Sequence, residues 1–445
     1  MGQKGVRSAL GGLVRRSPVA FTISVIGALA VASVVWVYGT NVITGDLIRS
    51  DATGYYMYLP AVFIDHDLTM IRTQQRSFPD SPGDMAGIRP GGDGDYLLDQ
   101  FPIGEAVMIL PFFGLAHVTA LAVGTSTAGF SWPYQVATTA AGLAYALIGL
   151  ALLASVLLRW FSRRTVVITL LGITFGTNLF HYASINANFS HAFSFALTAL
   201  ILKLTLSVWE RPRPTTALGL GAAIGLLTLV RPSNLVVVVF CALIGVAWPL
   251  HLRQRLRALV LERDLVFMGV GAFLVTLIPQ SAYWYAVTGK AWVYPYQSDA
   301  RFDFIHPHIP EVLFSVRKGL FFWTPLLLLA VLGLAVLWRY VPGVVLPAVA
   351  YLVVQTWVVS SWSYWAYGGS FGMRPFVESL PILALGFAAL VEHARSVVKR
   401  RVLSAAIVLT TVIAVHGMVA YWTQQIPYDG TTWDQYVRSY THLFG

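Results

Sequence analysis

The sequence predicts an all-α polytopic membrane protein, with about eleven transmembrane helices and two juxtamembrane helices in the first extracytoplasmic loop. Three observations carry that expectation. Only 11% of the 445 residues are charged and 56% are hydrophobic, whereas soluble domains carry roughly 25% charged residues. The mean hydropathy is +0.67. The apolar residues also cluster in long runs, and about 20 of them in a row are enough to cross a hydrocarbon core as a helix.

The runs fall near 19–40, 136–158, 165–182, 191–209, 215–230, 232–249, 266–286, 321–338, 343–360, 376–392 and 403–422. Lys4, Arg7, Arg15 and Arg16 precede the first of them. That run is longer than a signal-peptide core and has no convincing small-residue cleavage site, so it reads as an uncleaved first helix. A further apolar stretch, about 103–124, reads as a surface or re-entrant helix, because counting it as a span would invert every later basic loop. In the eleven-span arrangement, nineteen of the 30 Lys and Arg share one side with four acids, and eleven share the other with sixteen acids. Basic loops stay in the cytoplasm. The expected topology is therefore a multi-pass plasma-membrane protein with its N-terminus inside and its C-terminus outside. This distribution accounts for the net charge of +10 without any nucleic-acid partner. A single cysteine, Cys241, rules out an intrachain disulfide framework.

The chain reads as a single integral membrane domain, 1–445, with a large first outer loop (41–135), the remaining bundle (136–422) and an outer tail (423–445). Within the first outer loop, helical segments are expected around 52–64 and 103–124. The intervening Arg72–Tyr96 stretch, rich in Gly, Pro, Asp and Gln, is expected to be a flexible loop. Its GlyGlyAspGlyAsp run (91–95) has calcium-loop residue types but lacks the twelve-residue spacing and closing Glu, so it reads as a linker.

Chemistry-bearing residues gather at the outer ends of the spans. Asp51 opens a helix carrying Tyr55, Tyr56 and Tyr58; locally, an N-terminal carboxylate followed by interfacial tyrosines explains this segment. It leaves the second segment, AspGlnPheProIleGlyGluAla (99–106), unexplained. An acid just after the first span, a tyrosine-bearing juxtamembrane helix and a Pro-containing segment opening a second one together resemble the GT-C superfamily of polyprenyl-phosphate-sugar glycosyltransferases. The resemblance continues through GlyThrAsnLeuPhe (176–180), SerHisAlaPheSerPhe (190–195), LeuValArgProSerAsn (229–234), LysGlyLeuPhePheTrpThrPro (318–325) and GlySerPheGlyMetArgProPhe (369–376). It implies that Asp51 holds the position of the family's catalytic acid. It also implies that ProIleGly (102–104), preceded by Gln100, stands where the family has a Lys-Pro-Pro segment, here without the lysine, with Tyr55, Tyr56, Asp99 and Gln100 as substrate-binding candidates.

A lipid-phosphate donor needs cations where its leaving phosphate gathers charge. His191, Arg231, Lys318 and Arg374 are the outer candidates. Arg231 sits between two apolar runs, where a charge marks a functional site by default; snorkelling to lipid phosphates is the plain alternative. Arg374 and Glu378, four residues apart, are placed for a helical ion pair. His191 has the ordinary alternative of a hydrogen-bonded helix-start histidine. TyrProTyr (294–296), Trp357, Trp362, Trp365 and Tyr367 suit sugar stacking or interfacial anchoring equally. HisProHis (306–308) lacks a carboxylate to complete a metal site, so a divalent metal has no support here, and no cofactor beyond the lipid-linked sugar donor is expected.

The activity implied is transfer of a sugar from a polyprenyl-phosphate donor to a glycan, lipid or protein acceptor of the cell envelope, with inversion. The alternative is a transporter or flippase for a lipid-linked saccharide, which would place polar groups inside the spans and use internal repeats; no repeat is evident. The topology is tested by a single cysteine placed in the 361–375 loop of a Cys241-free chain. An impermeant maleimide should label it in intact cells, and labelling only after lysis would invert the assignment.

Overall fold

The computed structural model describes residues 17–79, 87–92, 94–248, 251–296 and 300–441. The basic cluster Lys4, Arg7, Arg15 and Arg16 lies outside the described residues. In chain order the main elements are α1 (Pro18–Gly39), α2 (Asp51–Phe63), β1 (Ile88–Gly91), β2 (Tyr96–Asp99), α3 (Gly104–Val123), α4 (Trp132–Leu157), α5 (Arg163–Phe175), α6 (Ser190–Glu210) and α7 (Pro214–Val230). They continue with α8 (His251–Leu261), α9 (Arg263–Thr288), α10 (Leu326–Leu337), α11 (Pro342–Ser360), α12 (Leu380–Glu392), α13 (Val397–Trp422) and α14 (Trp433–Thr441).

Helix ends follow local chemistry. Ser17 caps α1 by accepting from the Ala20 amide at 3.3 Å, with Pro18 in the first turn where no amide donor is needed. Ser396 caps α13 in the same way through Lys399. Gly124, at φ +69, closes α3 in the left-handed conformation.

Eight helices among the described residues are long and apolar enough to cross a bilayer: α1, α3, α4, α6, α9, α11, α13 and the continuous Arg374–Glu392 helix that a 3-10 turn opens and α12 completes. Three other apolar helices are shorter: α7, Pro232–Leu243 and α10. Several of the eleven expected runs are therefore not single full-length helices. The 165–182 run breaks after α5 at Gly176 and resumes as a short turn, Leu179–Ala183. The 232–249 run begins as a 3-10 turn on Pro232. The 321–338 run is cut at Thr324–Pro325, because proline donates no amide and forces Thr324 out of helical geometry, at ψ 63.

α3 has the length of a span, yet it lies along only the first half of α4. His117 Nδ1 is 2.6 Å from the Tyr134 hydroxyl. Nearer the start of α3, Tyr145 donates to the Met108 carbonyl at 3.2 Å. Met108 is thus level with the middle of α4, and Gly104, four residues nearer α4's far end, still stops about 12 Å short of it at 1.5 Å per residue. Part of the stretch expected to be a flexible loop, 80–86 and 93, lies outside the described residues, and the described part is structured. It contains a short helix, Ile71–Ser77, and an antiparallel hairpin pairing Ile88 with Asp99 and Gly91 with Tyr96. Of the run read as a linker, Gly92 and Gly94 lie between the two strands with positive φ, as a tight reversal needs.

The Arg374–Glu392 helix and α6 form the interior, whereas α9 rides on the periphery against α7. Small residues let backbones meet, the usual basis of helix association in lipid. A Cβ on Gly333 of α10 would stand 1.9 Å from the Gly386 carbonyl, and one on Gly386 of α12 would stand 2.2 Å from the Ala330 carbonyl. Gly386→Val should therefore destabilise the bundle by about 1–3 kcal/mol, the range for overpacking. An unchanged unfolding midpoint of the purified variant would contradict this close contact.

Candidate functional site

Asp51 is the first residue of α2, where unpaired helix amides favour a negative charge. The chain reaches it through Ser50, held at φ 54 and ψ −135, a region non-glycine residues rarely occupy. Arg374 opens the 3-10 turn before α12. Its Nη1 donates to Asp51 Oδ2 at 2.5 Å and its Nη2 to the Tyr367 carbonyl at 2.8 Å. Tyr367 also has a positive φ, 56. Two strained backbone positions thus bracket one ion pair between segments more than 300 residues apart.

A second polar unit stands beside the first. Arg231 is where α7 ends and the Pro232 turn begins, with extended backbone at φ −152 and ψ 116. Its Nη1 lies 3.3 Å from His191 Nε2, and its Nε lies 3.7 Å from Glu378 Oε1. An arginine can only donate, so His191 accepts at Nε2 and donates from Nδ1 to Glu378 Oε1, at 3.1 Å. His191 and Glu378 are fully buried, while the Arg231 side chain retains 15% exposure. The expected pair between Arg374 and Glu378 does not form. A 3-10 turn separates the two residues and points them to different partners, Asp51 and the His191–Arg231 unit.

Both units border one cavity of about 570 Å3 lined by Asp51, Tyr55, Gln100, Arg231 and Arg374. Aromatic side chains form much of its wall: Trp284, Trp292, Tyr294, Tyr296, Phe302 and Trp362. Tyr296 meets Trp362 edge-to-face at 5.1 Å, and Phe302 meets it at 4.8 Å. Arg89 of β1 donates to the Pro295 carbonyl, so the hairpin fastens the aromatic loop over the cavity.

Several expected site residues lie elsewhere. Tyr56 is fully buried among Phe113 and Phe130 and donates to the Gly129 carbonyl, a packing role. Lys318 is 2% exposed and gives its ammonium to the carbonyls of Ser370 and Tyr428, tying the segment after α13 to the 369–376 segment. It does not border the cavity, and burial pushes its pKa down to about 7. Its neighbour Arg317 is occupied by Asp429 at 2.8 Å. Asp99 lies behind the cavity wall: Oδ1 accepts from the Phe101 amide at 2.8 Å, while Oδ2 has no hydrogen-bond partner among the described residues. Burial pushes its carboxyl up to about 8. His306 pairs with Asp303 on the surface. No group of three metal-ligating side chains converges among the described residues.

Glu105 is fully buried at the start of α3, and neither of its carboxylate oxygens has a hydrogen-bond partner among the described residues. It belongs to the electrostatic surroundings of Asp51 and Arg231. Its signal in the sequence is a lone acid inside an apolar run. Gly104 beside it fits directly against the Leu229–Val230 backbone, bringing the start of α3 to the Arg231 turn.

Solved structures share this fold. The archaeal oligosaccharyltransferase AglB from Archaeoglobus fulgidus, solved with an inhibitory peptide and a dolichol-phosphate, is similar over 94% of this chain at 11% identity and a TM-score of 0.50; the chain spans 57% of the AglB chain. ArnT from Cupriavidus metallidurans, in its apo state, is similar over 86% of this chain and 71% of its own, at 12% identity and a TM-score of 0.45. At the level of sequence, no family model and no curated protein matches.

The Asp99 carboxyl supplies a test of the local geometry. The unfolded chain ionises near the ordinary 3.8 and the folded chain only near 8, so between them the folded state binds the extra proton and stability falls as pH rises. Asp99→Asn removes that penalty. Its gain in unfolding midpoint over the native chain should grow from pH 4 to pH 8 and then level off, reaching on the order of several degrees; a pH-independent difference would contradict the buried placement.

Proposed function

We propose that the protein is an inverting glycosyltransferase that moves a sugar from a polyprenyl-phosphate donor to a cell-envelope acceptor on the extracytoplasmic face. The carrying observation is the convergence of one carboxylate, Asp51, and two guanidinium groups, Arg231 and Arg374, on a single aromatic-walled cavity. That AglB was solved with a dolichol-phosphate supports a lipid phosphate as the ligand of such a fold.

In this reading the donor phosphate meets Arg231, whose exposed edge faces the cavity, and then Arg374. Asp51 accepts the proton of the acceptor hydroxyl as its oxygen bonds to the anomeric carbon from the face opposite the phosphate. The bond from that carbon to the phosphate oxygen breaks, its electron pair stays on the phosphate, and polyprenyl phosphate leaves. The guanidinium groups stabilise charge that grows during displacement. Glu378 and His191 act through Arg231 by fixing its orientation. In the resting structure Arg374 is bonded to Asp51, so its shift towards the phosphate would also release the base. The aromatic wall offers faces for sugar rings.

Asp51→Asn keeps the side chain's size and hydrogen-bonding capacity while removing the base. It should lower transfer from a polyprenyl-phosphate-sugar donor by at least about 10²-fold with donor binding largely retained, as measured by turnover and lipid binding of the purified protein. Arg374→Ala should weaken donor binding and turnover together. Near-normal transfer by Asp51→Asn would shift the base to Glu105, and indifference to both substitutions would end this reading.

A further inference from the structure

A second polar cleft opens at the far end of the bundle. α6 begins beside His191 and ends at Glu210, nineteen residues later, which is about 30 Å along its axis. That distance matches the hydrocarbon thickness of a bilayer. The cleft occupies about 680 Å3 between the end of α4, the end of α6 and the start of α7, and it is lined by Arg159, Trp160, Ser207, Glu210, Arg211 and Arg213.

Charge in this cleft is unbalanced. Arg159 donates to Glu210 Oε1 at 2.7 Å and is neutralised there. Arg211 and Arg213 are exposed and form no ion pair among the described residues. Two guanidinium groups, each able to take a phosphate in a planar fork, therefore face an open, polar space with one acid already spent.

The surroundings say what kind of anion approaches. α8 lies at the same end, because Arg255 donates to the carbonyls of Ala242 at 2.8 Å and Cys241 at 3.1 Å and lies 4.3 Å over the ring of Trp209, the neighbour of Glu210. No residue of α8 is buried. Leu252, Leu256 and Val260, one turn apart, are 40%, 54% and 66% exposed, while Arg253 and Arg257 form no ion pair among the described residues. A basic helix with an open apolar stripe lies in a membrane interface, and Trp160 with the 42% exposed Trp209 adds interfacial aromatics beside the cleft. We propose that this cleft binds the phosphodiester headgroup of an anionic phospholipid in the leaflet opposite the Asp51 site, with Arg211 and Arg213 as its phosphate ligands and α8 lying on the adjoining lipid.

The assignment stands apart from the transferase reading and needs no sugar substrate to test. Purified full-length protein in detergent would be offered phosphatidylglycerol and phosphatidylcholine in equal amounts, and retained lipid counted by native mass spectrometry. Wild type should retain phosphatidylglycerol preferentially. Arg211→Gln/Arg213→Gln should reduce that retention at least about tenfold without changing phosphatidylcholine, and Arg211→Lys/Arg213→Lys should restore most of it. An unchanged lipid-free unfolding midpoint checks that the variant is folded. Equal retention of the two lipids by wild type, or undiminished phosphatidylglycerol on the Gln variant, overturns the site. In a parallel thermal-shift arm, inorganic phosphate should protect far less than phosphatidylglycerol. Equal protection would assign the cleft to a soluble phosphate and overturn the lipid reading.

Discussion

An ionised side chain in an apolar helical bundle must find an opposite charge or lose its charge, and the site of this protein is organised by that requirement. Asp51 is compensated by Arg374, and Arg231 by Glu378 through and beside His191. Removing one member of such a unit strands the other in a poorly solvated place, which costs far more than the pair itself contributes. The pairs also clamp together the first loop, the start of α6, the break after α7 and the turn before α12. Ser50 and Tyr367 can hold unfavourable backbone angles because this network fixes what lies on either side of them.

The same pairing shapes how the cavity meets an anion. With Asp51 and Glu378 ionised, each guanidinium already has a counter-charge, and the cavity offers donors rather than a surplus of positive potential. An arriving phosphate gains by taking over hydrogen bonds, so its affinity depends on geometry and on an exchange of partners. Arg231, partly exposed and with its Nη1 turned to a neutral imidazole nitrogen, is the more available of the two. Arg374 is committed through both terminal nitrogens.

Much of this was legible in the residues. Apolar runs located most helices, and the order of Asp51, the Pro-containing segment, Arg231 and Arg374 located the cavity's polar groups. What pattern could not supply was partnership. Arg374 and Glu378 have helical spacing, so a local pair was the natural expectation, but a 3-10 turn occupies those residues and a contact from far along the chain wins. Lys318 looked like a cation for a phosphate because it stands at a span end; two backbone carbonyls hold it instead, and carbonyl positions leave no mark in composition. The hairpin at 88–99 was hidden because only four residues pair on each strand, too few for alternation to stand out among glycines and prolines. Glu105 was visible as an acid in an apolar run, but its proximity to Asp51 depends on Gly104 seating against the end of α7.

The glycine contact between α10 and α12 bears on how the protein responds to temperature. Two helices that meet through Gly333 and Gly386 gain attraction from closely fitted backbones, and when they separate, the surfaces uncovered are wetted by acyl chains rather than by water. The large positive heat capacity of unfolding in soluble proteins comes from hydrating apolar surface, and this contact contributes almost none of it. For the part of the bundle held in this way, the stability curve should be shallow: little strengthening towards a temperature optimum, little curvature, and no weakening in the cold of the sort that follows when a water-driven core loses its driving force.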